Sequence, residues 1–591
     1  MKAFKRVFSY LKYEKKNMII AILAVFIETV FELIIPLIMS WMISSGVKAY
    51  INASNSSNQE LMNSSMKVII ISAILIAVCA IMSLINGWFY SHFAAKAGAR
   101  FGALIREAQF MHIQEYSFKN LDQFEPSSLV TRVINDSQIL QNTITQTMRP
   151  IVRAPIMLVL GIAFTFYYSW KLALIFLVLS PILALVIILV LRKVGPKYQT
   201  MQTDLDGLNG KIQENLVAIR VIKTFVREPY ECHEFDKVND TYRNTVTSTF
   251  SLSNLISPFF QVMMYTSTIL FLLLGGQMII NGTLDEGELT GILSYVMQTF
   301  NSLIMAANVF INVAKTLASV YRVNEVLTVT PDIKDGTSKI KVQKGDIEFK
   351  DVSFKYKEGT GRDVLSHVSF KIEHGKTLGI IGSTGSAKST LVSLIPRLYD
   401  ATEGEVLVDG INVNQYDLYD LRSSISMVLQ KPVLFEGTIK DNLRWGKKDM
   451  TDDEVKNAVS VSCCDEFLSN MPLGLDTEVG EGGNALSGGQ KQRVSIARAL
   501  IKNPKVLILD DATSAVDTKT EKKIRVALNE LKDTTKIIIS QRILSVMDAD
   551  LVLILDNGKI NEINTPKELL AHNSIYQDLY DRQLKGVNLD E

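Results

Sequence analysis

Six long apolar stretches fill the first half of this chain, at roughly 18–47, 67–90, 149–169, 172–192, 255–281 and 289–315. No other feature restricts the fold so strongly. A run of ~20 mostly apolar residues can cross ~30 Å of hydrocarbon, where every backbone polar group must be satisfied within its own segment. Each stretch is therefore expected to be a membrane helix. The sixth is the weakest, because Tyr295, Gln298 and Asn301 interrupt it. The apolar run from Met18 is too long for the core of a cleavable leader and reads as the first span.

The connections between these stretches alternate in character. Residues 48–66, 170–171 and 282–288 are short or poor in Lys and Arg, whereas 91–148 and 193–254 are long and carry most of the basic residues. The positive-inside rule places the long connections and both termini in the cytoplasm. Few prolines or glycines break them, so the spans are expected to continue into the cytosol as extended helices. Residues 2–16, KAFKRVFSYLKYEKK, alternate aromatic and basic residues, which suits an amphipathic helix lying on the bilayer. Glu28 and Glu32 lie four apart in the first span, on one helical face. Acids in hydrocarbon need a partner or a cavity, so either a polar translocation path or a hydrogen bond to a neighbouring helix is open. Gln261, Gln298 and Asn301 are weaker candidates of the same kind, suited to bonds between helices.

Lys+Arg number 62 against Asp+Glu 61, so charge gives no sign of a nucleic-acid partner. The four cysteines, Cys79, Cys232, Cys463 and Cys464, lack metal-binding spacing and suggest a reduced compartment. Beyond about residue 325 the apolar character falls, and 327–342 reads as a linker between a membrane domain (1–326) and a second domain (343–591). There strands alternate with helices, as in an α/β fold.

The strand TLGIIG runs into GSTGSAKST, Gly382, Ser383, Thr384, Gly385, Ser386, Ala387, Lys388, Ser389 and Thr390, and then into an amphipathic helix. This order is a P-loop. Its backbone N–H groups cradle phosphates, Lys388 reaches the terminal oxygens, and Ser389 ligates Mg²⁺. Ala387 stands where the motif has glycine, and nucleotide binding is expected to survive so small a methyl. A second apolar strand ends at Asp510, placed to hold Mg²⁺ opposite Ser389. Between them, Ser487, Gly488 and Gly489 open a helix without a lysine of its own. Such a helix start suits a phosphate bound by another subunit.

With these pieces in order, the chain resembles a half-transporter of the ATP-binding cassette (ABC) exporter family. The resemblance covers essentially the whole chain, and LSGGQ at Leu486–Gln490 is its most specific motif. It implies a six-helix membrane domain with long cytoplasmic extensions, followed by an α/β P-loop cassette that binds ATP and Mg²⁺ and drives transport by hydrolysis. It also implies that Tyr356 stacks on adenine, that Gln430 senses the γ-phosphate and Mg²⁺, that Gln490 completes the signature, and that Asp517 belongs to the D-loop. TEVGEGG (477–483) resembles the segment that meets coupling helices of the membrane domain, expected near 112–120 and 225–232.

Two positions depart from that family. After Asp510 the family has a glutamate that activates water; here it is Asp511, shorter by one methylene, ~1.5 Å of chain. Where the family has a histidine, TTKIIISQRILSV carries Gln541, which hydrogen-bonds but carries no proton at neutral pH. The binding residues are kept and the two hydrolytic ones are altered. The expectation is the degenerate-site half of a heterodimeric exporter in the cytoplasmic membrane, resembling bacterial multidrug exporters. Its partner would carry Glu and His, and its cargo would be a small molecule such as a drug, lipid or peptide. A homodimeric exporter with slow ATPase, or a membrane protein gated by ATP binding alone, are the alternatives.

Overall fold

The structure is a computed structural model and describes residues 2–336, 340–356 and 363–584. The chain forms two compact units, Met1–Gln114 with Pro126–Val329, and Glu115–Glu125 with Thr330–Glu591.

Among the described residues of the first unit, five helical segments are long and apolar enough to cross a membrane: Lys2–Asn55, Gln59–Gln114, Pro126–Tyr168, Trp170–Val217 and Glu228–Ile280. The sixth expected span lies within Glu286–Val326, one continuous helix of 41 residues packed on the first and third. Tyr295, which interrupts its apolar run, is fully buried. The phenol donates to Leu33 O at 2.6 Å and the ring stacks on Phe164 at 5.2 Å, so its polarity is absorbed inside the bundle. Gln298 is half-buried, while Gln261 and Asn301 are exposed within this chain.

The long basic connections are indeed helical. Gln59–Gln114 runs unbroken for 56 residues, about 80 Å at 1.5 Å per residue and well beyond the hydrocarbon thickness. Trp170–Val217 and Glu228–Ser253 pair as a second long hairpin. Its tip carries the short helix Ile219–Thr224, several residues before the expected 225–232. The chain turns there because Val226 takes a left-handed backbone (φ 53°), which ends one helix before the next begins. The amphipathic start folds as helix Lys2–Phe8 followed by the 3₁₀ segment Ser9–Glu14.

Both acids of the first span meet arginines at the start of the third. Glu28 pairs with Arg149, and Glu32 with Arg153 at 2.5 Å, two rungs one helical turn apart. Arg149 also lies over the ring of Tyr90, 5.9 Å from its centre. Glu28 is only 2% exposed, and its Oε2 has no hydrogen-bond partner among the described residues. Both acids therefore bond to a neighbouring helix, and their partners there are cations.

The second unit carries two sheets. One is antiparallel, with β1 (Ile347–Phe354), β2 (Leu365–Ile372), β4 (Glu403–Val408) and β5 (Ile411–Asn412) in the order β2-β1-β4-β5. The other runs β10-β9-β3-β8-β7-β6, built from β3 (Thr377–Ile381), β6 (Ile425–Val428), β7 (Val506–Asp510), β8 (Thr535–Ile539), β9 (Leu551–Asp556) and β10 (Lys559–Asn564). All of its neighbours pair in parallel except β10 with β9. Strands β3 (TLGII) and β7 (VLILD) are buried at every position, as strands of a parallel sheet covered on both faces should be. The main core lies between the two sheets around Phe349, Ile380, Leu391 and Ile508. A second cluster, around Leu443, Phe467 and Val494, supports the helices between Leu434 and Ile501.

Candidate functional site

The parallel order β3-β8-β7-β6 sets four loops side by side at the strands' carboxyl ends, where open α/β sheets form their crevice. The loop after β3 is the P-loop, β8 leads to Gln541, β7 ends in Asp510 and Asp511, and β6 leads to Gln430. The crevice holds a cavity of about 290 Å³ lined by Thr384–Thr390, Gln430, Asp510, Asp511 and Gln541, with Val364 and Ile539. Residues from Thr384 to Gln541, more than 150 positions apart, meet there because adjacent parallel strands end at one edge.

Within it the P-loop is wrapped around its lysine. Lys388 Nζ donates to Gly382 O at 2.9 Å, Ser383 O at 2.8 Å and Ser386 Oγ at 3.4 Å. Burial pulls its pKa down, opposed by the carboxylates of Asp510 and Asp511. Gly382 admits no side chain, since a Cβ there would lie 2.1 Å from Leu555 O. Asp510 is 5% exposed, and burial pushes its carboxyl up, partly offset by the Ser389 hydroxyl donating to it. A buried carboxylate beside a hydroxyl at the foot of a phosphate loop suits a divalent cation. Gln430 Nε2 approaches Asp511 Oδ2 at 3.5 Å, and Asp511 N is held by Ile539 O at 3.0 Å.

Ala387 departs from the motif for a reason that sequence spacing does not display. Its backbone is left-handed (φ 73°, ψ 24°), the conformation for which glycine is suited. A non-glycine residue there costs about 1–2 kcal/mol, while glycine adds about 0.4–1 kcal/mol of unfolded-chain entropy. Ala387→Gly is therefore expected to stabilise the domain by about 0.5–1 kcal/mol, read as a raised melting temperature.

Tyr356 stands beside the cavity, 42% exposed, with its hydroxyl 2.9 Å from Thr390 Oγ1 and its ring edge-on to Phe354 and Tyr399. The signature residues do not line this cavity. Ser487 caps helix Gly488–Ile501 through a reciprocal pair with Gln490. A Cβ on Gly489 would meet Ala515 O at 2.8 Å, so the glycine lets that helix lie on the loop 514–517. Gln492 fixes the same loop, donating to Ser514 Oγ at 3.0 Å and accepting from Ala515 N at 2.9 Å. Asp517 caps the next helix by accepting from Thr520 N at 2.9 Å. Sequence reading missed Arg542, next to Gln541. It pairs with buried Glu521 at 2.9 Å and donates to Ser514 O at 3.0 Å, tying the end of β8 to the same loop. No local pattern in the sequence marks that contact.

Comparison with known proteins agrees with this geometry. The family described as "ABC transporter transmembrane region" matches residues 18–303, and the one described as "ABC transporter" matches 365–514. An ABC transporter ATP-binding protein of Bacillus subtilis, YfiB, is 36% identical over 95% of this chain and 96% of its own length. The ATP-dependent lipid A-core flippase of Haemophilus influenzae is 33% identical over 82% of each chain. A solved bacterial Atm1-family ABC exporter with ATP bound superposes with a TM-score of 0.80 at 22% identity, covering 98% of this chain and 99% of that one. This chain belongs to the ABC transporter family, as a multi-pass membrane half-transporter whose fused ATP-binding domain couples ATP hydrolysis to transport.

Proposed function

We propose that this chain is the degenerate-site half of a heterodimeric exporter in the cytoplasmic membrane, with its termini and ATP-binding domain on the cytoplasmic side. The observation that carries the reading is the pair Asp511 and Gln541, both lining the P-loop cavity where the family has Glu and His. The P-loop from Gly382 to Thr390 binds the phosphates of ATP, and the face of Tyr356 takes the base. Ser389, Asp510 and Gln430 hold Mg²⁺, which supplies charge neutralisation at the phosphates. Asp511 is too short to hold an attacking water well, and Gln541 cannot move a proton. ATP at this site therefore acts as a clasp.

Ser487, Gly488, Gly489 and Gln490, with Asp517, serve the partner's P-loop, which explains their position outside this chain's own cavity. The need for a partner also fits the apolar surface that each unit leaves uncovered, Phe225 and Val226 at 70% and 76% exposed in one and Trp445 at 65% in the other. Cargo is a small molecule such as a drug, lipid or peptide.

In the purified heterodimer, Asp511→Asn is expected to leave ATPase within about two-fold of wild type. The equivalent amide on the partner's glutamate is expected to lower it by about 10²–10⁴-fold. Equal losses from the two substitutions, or fast turnover by a homodimer of this chain, would refute the assignment.

A further inference from the structure

The helix Lys2–Phe8 packs beside an apolar cavity near the start of the first span. Its residues sort by face. Val7 is fully buried with Phe101, Ile105 and Leu140. Phe4 and Phe8, four apart, stack at 4.0 Å between centroids. Lys2, Lys5 and Arg6, spaced three and four apart, are exposed on one side. The two phenylalanines line a cavity of about 270 Å³, together with Met18 and Ile22 of the first span, Ile151 of the third and Val313 of the sixth. A second cavity, of about 490 Å³, is lined by Lys5, Leu317, Val320 and Tyr321, and Phe4 lines both.

The walls of the first cavity present carbon alone. Three threonines reach it, yet their hydroxyls are taken up between and within the helices. Thr143 Oγ1 and Thr316 Oγ1 lie 2.6 Å apart, with Ile139 O at 2.8 Å from the first and Asn312 O at 2.7 Å from the second. Thr147 donates to Thr143 O. A polar group entering at that depth would find no partner, so the cavity suits plain hydrocarbon. Phe4, Ile22 and Ile151 on its rim are exposed. The apolar run of the first span begins at Met18, which sets the opening at the edge of the hydrocarbon layer.

Charge at this edge is one-sided. Residues 2–16 carry six exposed cations, Lys2, Lys5, Arg6, Lys12, Lys15 and Lys16. Among the described residues none of them pairs with an acid. The single acid of the segment, Glu14, accepts from Asn17 Nδ2 at 2.6 Å. An acyl chain gains nothing by hydrophobicity when it leaves the bilayer for such a cavity, since both are hydrocarbon. Selection therefore falls to the headgroup, where each nearby Lys or Arg favours an anionic one by about five-fold.

We propose that this cavity holds one acyl chain of an anionic membrane lipid, whose headgroup rests on Lys5 and the cations beside it. The N-terminal helix is then one wall of a lipid site, and the bound lipid ties that helix to the first, third and sixth spans.

The full transporter, with its partner, is placed in vesicles of phosphatidylcholine and phosphatidylglycerol in equal parts. One sample carries a trace of phosphatidylglycerol with a diazirine on an acyl chain, the other the same chain on phosphatidylcholine. Illumination and peptide mapping locate the adducts. They are expected on the stretches 4–8, 18–22, 143–152 and 313–316, about five-fold or more abundant from phosphatidylglycerol. Lys5→Gln with Arg6→Gln is expected to lower the phosphatidylglycerol adducts there by about five-fold or more and to leave the phosphatidylcholine ones unchanged. Val313→Phe, which fills the cavity, is expected to remove the adducts of both lipids from these stretches while those elsewhere on the spans persist. Ile151→Phe, at the exposed rim, serves the same purpose should Val313→Phe not assemble.

Equal labelling by the two lipids, unmoved by Lys5→Gln with Arg6→Gln, would mean ordinary bilayer contact and would overturn the proposal. So would the absence of adducts from these stretches in the wild type, the result expected if a segment of the partner fills the cavity. Loss of the adducts on adding transported cargo would assign the cavity to cargo and overturn it as well.

Discussion

Asp511→Glu combined with Gln541→His is expected to raise hydrolysis at this chain's own P-loop by about 10²–10⁴-fold, the range associated with a positioned general base. The two residues follow β7 and β8, which pair in parallel with Asp510 opposite Ile539, so both substitutions act on one cavity. The glutamate extends the carboxylate by ~1.5 Å, and the histidine adds a group that titrates near neutral pH. The backbone exacts something in return. Asp511 is left-handed (φ 49°), a conformation that aspartate tolerates better than glutamate does. Asp511→Glu alone is therefore expected to gain less than the pair. The measurement is single-site turnover in the proposed heterodimer, with the glutamate expected on its partner made an amide. An unchanged rate in the double variant would mean that neither position limits hydrolysis.

Arg149→Leu is expected to destabilise the membrane unit by about 1–3 kcal/mol, the cost of leaving a buried polar group without its partner, because Glu28 is buried while Arg149 is 38% exposed. Glu28 is 2% exposed and lies against Gly87, so without Arg149 its carboxylate is left in the bundle without the cation it pairs with. Glu28→Leu combined with Arg149→Leu is expected to recover most of that loss, because no lone charge remains buried. Arg153→Leu is expected to cost less, since Glu32 and Arg153 are both about a quarter exposed. Thermal unfolding of the purified transporter in detergent, followed by loss of its monodisperse form, reads all three variants. A double variant no more stable than Arg149→Leu would show that the pair contributes more than mutual neutralisation.

The parts of this molecule legible in the sequence are those whose geometry is local. Strand, phosphate loop, lysine and helix follow one another within about fifteen residues, so their order alone states their arrangement. The strand ending at Asp510 was legible for the same reason. What escaped was contact across long separations. Glu28 and Glu32 announced a need for partners, yet Arg149 lies 121 positions away at the edge of another span. Tyr295 looked like a flaw in an apolar run because its acceptor, Leu33 O, is 262 positions distant. Backbone conformation was hidden in a different way. Ala387 read as a near-synonym of glycine by size, whereas its φ of 73° makes it a question of strain. The tip of the second hairpin was displaced toward its start because residues 218–228 have no proline or glycine before Pro229 to mark the turn.

The second unit is assembled from two pieces of chain, Glu115–Glu125 and everything from Thr330 onward. That has a consequence for biosynthesis. The first piece leaves the ribosome roughly 200 residues ahead of the surface it packs on, an interval of about 10–40 s at ordinary elongation rates. Four membrane segments must be inserted during that wait. Tyr399 and Asp332, which bond to Asp122 and Ser117 of that piece, are made only afterwards, so its short helix Phe118–Leu121 cannot reach its final contacts until the ATP-binding domain is being completed. Maturation of the nucleotide domain is thereby tied to the prior placement of the membrane helices, and a fragment beginning at Thr330 lacks part of its own folded surface.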